Sequence, residues 1–170
     1  MKLFGWKSGR DESRPVLSRA LSAPGFQGAF GDVPYSYEAQ VRAGYLGNAI
    51  VQRAVKLVVE CVGSAPLMAS DPALVALVTA RSGGQSLVET VAAQMLLHGN
   101  AYVQVLRDVD GGAAELFALR PERVAVEADA SGWPAAYRYR VGERVTRLHA
   151  DAVRPEVIHL KSFNPVDDHY

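Results

Sequence analysis

The 170 residues hold one cysteine, no apolar run of membrane-spanning length and no surplus charge of either sign. Each shortage excludes something. A single thiol, Cys61, closes no internal disulfide, so the chain does not rest on the cross-linked framework of small secreted domains. Nowhere do about 18 apolar residues follow one another, which leaves no candidate membrane helix and no membrane partner. The early lysines of "MKLFGWKSGRDESRP" precede no apolar stretch of signal-peptide length, so the chain is expected to be made and kept in the cytoplasm. Eighteen Lys and Arg against eighteen Asp and Glu give zero formal charge. Bulk electrostatics therefore do not announce nucleic-acid binding, and only a local basic stripe is left open.

Catalytic motifs are equally scarce. The four histidines (98, 149, 159 and 169) carry no HExxH, HxH or CxxC spacing, and no cofactor or metal is expected. His159 lies in "EVIHLK", where a histidine hydrogen-bonded within a sheet outweighs a metal ligand. "RSGG" and "DGG" lack the context of a phosphate cradle and read as turns. Asp167 and Asp168 are adjacent carboxylates that need further ligands to hold a divalent ion.

What is present suits a soluble globular chain: 49% hydrophobic and 21% charged residues, enough to bury a core. Residues 1–35 are broken by glycine and proline and read as an extended or mobile arm. Its aromatics, Phe4, Trp6, Phe26 and Phe30, suit either docking on another subunit or a frayed terminus. Beyond it, Ile50, Ala54, Leu57, Val58 and Cys61 fall at i, i+4, i+7, i+8 and i+11, one face of a helix over about 47–62, with Cys61 expected in the core. Pro66–Met68 suggests a short strand. Asp71 and Pro72 then open a two-turn helix, which "RSGG" ends.

Ser86 and Glu89 stand in capping-box spacing at the head of "SLVETVAAQMLLHGN", so each side chain is expected to satisfy a backbone N–H of the first turn. At its end, Gly99 takes positive φ without steric cost, Asn100 tolerates the same region, and His98 offers a donor or partial charge to free carbonyls. After Asn100 the period falls to two. "AYVQVLR", "ELFALRP", "RVAVEAD", "AAYRYRVG" and "VIHLKSF" read as short strands, with "RLHADAVRPE" as a connection. Helices followed by antiparallel strands make an α+β fold, helices packed on a mostly antiparallel sheet. In "YRYR", alternation puts Tyr137 and Tyr139 on one face and Arg138 and Arg140 on the other, a packing face backed by solvated arginines rather than a base-stacking platform.

The ordered set "NAIVQRAVKLVVECVGSAPL", "SLVETVAAQMLLHGNAYVQVLRD", "ELFALRPERVAVE", "YRYRV" and "EVIHLKSFNP" resembles tailed-phage portal proteins of the HK97 type, including those of gene transfer agents, over about residues 45–165. The resemblance implies a portal wing-like domain over 36–170, in a non-enzymatic dodecameric ring at a capsid vertex through which DNA is packaged and ejected. It implies as partners the chain itself, the terminase large subunit, the major capsid protein and a head–tail adaptor. Stem and clip regions, which come later in such proteins, have no counterpart in these residues, so the chain is expected to be the N-terminal portion. DNA contact in a channel should be made to phosphate without regard to sequence. Arg138, Arg140, Arg144 and Arg147 are candidates for it or for intersubunit pairs. The competing class is a small metal-dependent hydrolase or nuclease using Asp108, Asp110, Asp167, Asp168 and the histidines, which requires those carboxylates to converge on one ion. A third is an adaptor that binds a partner through the aromatic arm.

Overall fold

The computed structural model describes residues 41–163. The arm over 1–35, its boundary with the rest, and Asp167, Asp168 and His169 lie outside the described residues. A π-turn at Arg42–Leu46 leads into helix α1 (Ala49–Gly63). The Asn48 side chain caps α1 by accepting from the amides of Ile50 at 3.0 Å and Val51 at 3.2 Å. Helix α2 (Pro72–Thr79) starts as its sequence dictates: Asp71 Oδ1 accepts from the Ala73 amide at 2.8 Å, and Pro72 occupies the first turn, where a missing N–H costs nothing.

Two short strands, β1 (Arg81–Ser82) and β2 (Gln85–Ser86), follow as a hairpin about the turn expected at "RSGG". Gly83 and Gly84 both have positive φ, 55° and 81°, which is what a two-residue hairpin turn demands. Helix α3 (Leu87–His98) comes next. Strands β3 (Asn100–Arg107), β4 (Ala113–Leu119) and β8 (Val157–Lys161) form an antiparallel sheet in the order β4-β3-β8. Strands β5 (Val124–Ala128), β6 (Pro134–Val141) and β7 (Arg144–His149) form a second, in the order β5-β6-β7.

The β3 sheet is the middle layer. Side chains alternate across it, so Tyr102, Leu119 and Val157 face the second sheet and pack with Tyr137 and Leu148. Val103, Leu116 and Ala118 face the other way and pack with Leu87 of α3 and with Leu77 and Val78 of α2. Covering on both faces explains why the start of β3, Asn100 to Val103, is buried without a break. Gln94 ties α3 to this layer: its Nε2 donates to the Leu119 carbonyl at 2.8 Å.

Three expectations are corrected. Pro66–Met68 forms no strand; Pro66 lacks an amide to donate, and Met68 is 93% exposed, with no neighbouring strand to cover it. Arg144–His149, read in part as a connection, is the edge strand β7. Only Leu148 of its six residues is buried, so the alternation that marks a strand is almost invisible. Cys61 is exposed, not core, because α1 buries none of its residues against the rest of the described chain.

Candidate functional site

At the joint between α3 and β3, Gly99 is the C-cap with φ 67°, and its amide donates to the Met95 carbonyl at 3.0 Å. Its carbonyl accepts from the Ser162 amide at 2.8 Å and from Ser162 Oγ at 3.0 Å, so the residue that ends the helix also anchors the chain beyond β8. Asn100 does not share the left-handed conformation. It opens β3 opposite Lys161, and its buried Oδ1 lies 2.8 Å from His159 Nε2. The His159 ring stacks on Tyr102 at 4.3 Å between centroids, with Tyr137 edge-on at 5.8 Å. Burial pushes the His98 imidazole below its ordinary value, against a smaller upward pull from Glu122. Of the donor or partial charge expected of His98 at the helix carbonyls, the charged form is therefore disfavoured.

At the other end of α3 the capping box does not close. Ser86 occupies the N-cap position but its side chain makes no cap hydrogen bond, because Ser86 is also the last residue of the β1–β2 hairpin. Its carbonyl accepts from Thr90 Oγ1 at 2.8 Å. Glu89 is turned toward α1, where its Cγ lies 2.5 Å from where a Cβ on Gly63 would stand. Gly63 is what lets the two helices approach there.

The arginines divide by register. Arg138 pairs with Arg147 across β6 and β7, so they share the outer face of the second sheet with Arg140, whereas Arg144 pairs with Val141 and is in phase with the opposite face. Tyr137 is buried on the inner face and Tyr139 packs beside it. Glu127 joins two of the cations, at 3.1 Å from Arg138 Nε and 2.7 Å from Arg147 Nε. Those contacts hold its carboxyl below the usual carboxylate range, the Arg147 hydrogen bond being the largest cause. Arg140, with Arg123, Arg138 and the acidic Glu122, lines a depression of 280 Å³ together with Val124, Ala125 and Val145.

Of the carboxylates in the hydrolase reading, Asp108 and Asp110 are among the described residues, and they gather no metal-binding set. Asp108 Oδ1 is spent on its own turn, accepting from the amides of Asp110 at 3.1 Å and Gly112 at 2.7 Å. Among the described residues, no three of His, Cys, Asp and Glu are grouped to hold a metal ion. What stands out instead is an open apolar groove of 540 Å³ between α1, α3 and the edge strand β8, where every lining side chain is hydrophobic. Neither periodicity nor motif spacing predicts this groove, because it is made by what leaves α1 uncovered.

The phage portal protein family matches residues 49–170. The chain belongs to that family. Among solved structures, this portal-family chain is similar to one in the virion of a native gene transfer agent particle, at 37% identity and a TM-score of 0.71, over 81% of this chain and 38% of that one. It is similar also to a chain in the neck of an empty particle computed with C6 symmetry (35%, TM-score 0.72, 81% and 39%). A third is in the neck of a native particle computed with C12 symmetry (36%, TM-score 0.71, 81% and 38%). A protein of Rickettsia felis is 28% identical over 159 residues, 82% of this chain and 40% of its own length. The chain thus spans between 38% and 40% of the relatives it matches. Family membership, with no metal-binding group among the described residues, leaves the hydrolase reading without support.

Proposed function

We propose that this chain is a structural component of a portal, contributing the wing-like α+β portion of an oligomeric ring at a capsid vertex through which DNA is packaged and ejected. The observation that carries the reading is its likeness, at 35–37% identity, to chains in gene transfer agent necks computed with C6 and C12 symmetry. Such a role asks for rigid placement rather than chemistry, and a sheet packed on both faces supplies it. The terminase large subunit, the major capsid protein and a head–tail adaptor are the partners this role requires, and none of them asks for a catalytic residue here. Passing DNA would be met by phosphate contacts without base readout. Arg140 is better suited to that than Arg138 or Arg147, because those two are already engaged by the one carboxylate of Glu127.

The test is position in an assembled particle. In particles produced with an epitope-tagged copy of the chain, label is expected at one vertex in electron micrographs. Label spread over the whole shell, or none on purified particles, refutes the reading.

A further inference from the structure

We propose that the apolar groove between α1, α3 and β8 is a contact between copies of this chain, the neighbouring copy covering it in the ring. This rests on the portal reading and names the surface that builds the ring. Helix α1 is capped by its own Asn48 and carries an apolar stripe, yet buries none of it; Ile50 is 82% exposed, and Leu57 and Val58 are about half bare. Val58 and Val62 of α1, Met95 and Leu96 of α3, and Ile158 and Leu160 of β8 enclose the groove. A continuous apolar surface of this kind marks an interaction site rather than ordinary scatter.

Three observations point to a second copy as the occupant. Arg53 and Lys56 on α1 both pair with Glu60 outside the groove, whose own lining carries no charge to oppose an apolar partner. The chain has zero formal charge, so identical copies are not held apart by net repulsion. The similar chains belong to necks computed with C6 and C12 symmetry, in which identical copies surround one axis. Rotational rings join unlike patches of neighbouring copies, so the groove is one half of a head-to-tail contact.

The experiment is light scattering on the full chain across a concentration series, with Val58→Asp and Leu96→Asp as groove variants and Val109→Asp, equally apolar but on the far β3–β4 turn, as control. The wild type and Val109→Asp should assemble as concentration rises, and both groove variants should remain monomeric with unchanged circular dichroism. Should the groove variants assemble like the wild type, the groove assignment falls while the ring reading stands. A wild type that stays monomeric throughout overturns both for this chain. If the aspartates prevent folding, Cys61 decides on the wild type alone. It is exposed on α1 beside Val62, and its reaction with Ellman's reagent should slow severalfold as copies associate. Reactivity that does not change with concentration, whether high or low, overturns the proposal, the low case meaning that the chain covers its own groove.

Discussion

His159 Nε2 lies 2.8 Å from Asn100 Oδ1, joining the last described strand of the chain to the first residue of β3 beneath a stacked Tyr102. An amide oxygen only accepts, so the imidazole donates from Nε2. Asn100 is buried, and removing its side chain leaves that donor without its acceptor. Asn100→Ala should therefore lower the unfolding free energy by about 1–3 kcal/mol in urea titrations followed by circular dichroism. A loss within about 0.5 kcal/mol, the range of surface substitutions, would show that the pair contributes nothing.

Gly99 combines a left-handed backbone with a close neighbour: a Cβ there would stand 2.9 Å from Ser162 Oγ. Gly99→Val should cost more than about 1 kcal/mol, from the strained φ and the displaced serine together. A second measurement separates the two causes. In a Ser162→Ala background the contact is relieved but the φ is not, so Gly99→Ala should cost less there than in the wild type while remaining destabilising. Equal costs in the two backgrounds would assign the whole effect to φ.

Glu127 is 28% exposed and holds two arginines on the outer face of the second sheet. Its carboxyl is held below its ordinary 4.5 by the hydrogen bond from Arg147 first, with Arg138 adding to it. A carboxylate whose folded pKa lies below the unfolded one stabilises fully above pH 4.5, and the contribution disappears as pH falls through the folded value. Glu127→Gln should accordingly be less stable than the wild type near neutral pH. The difference should close under acid, read as converging denaturation midpoints. A gap that persists in strong acid would mean that the loss comes from geometry rather than charge.

How far the sequence alone reaches depends on how each element is covered. Helices α2 and α3 and strands β3, β4, β5, β6 and β8 all show in it, because each carries local start or stop signals or buries alternate side chains: Asp71 and Pro72 for α2, Gly99 for α3, Tyr102 and Val103 on opposite faces of β3. The edge strand β7 does not, since it buries Leu148 alone and displays Arg144, Thr146, Arg147 and His149. The stripe of α1 is legible as amphipathic, but periodicity says only that a face is apolar. It does not say whether this chain or another covers it, which is why Cys61 read as core and stands exposed. The spacing of Ser86 and Glu89 was likewise right for a capping box. A preceding hairpin and the approach of Gly63 redirected both residues, and neither lies within reach of a local motif. As for function, the spacing of single residues carried little; the order of whole segments carried the family.

His98 supplies a pH test with the opposite chemistry to Glu127 and a different window. Burial disfavours its cation, so the folded pKa lies below the ordinary 6.5, and the unfolded chain takes up a proton first as pH falls. The sign follows: neutral His98 contributes its full stability above pH 6.5, and that stability is lost as pH falls from there toward the lower folded value. His98→Gln keeps a polar side chain without titration, so the wild type should lose stability between neutral pH and the lower folded value while the variant stays flatter. Glu122→Gln sharpens the test. It removes the one acid that pulls the His98 pKa upward, so the loss in an otherwise wild-type chain should become steeper and extend to lower pH. Parallel profiles for wild type and His98→Gln would place the titrating group elsewhere.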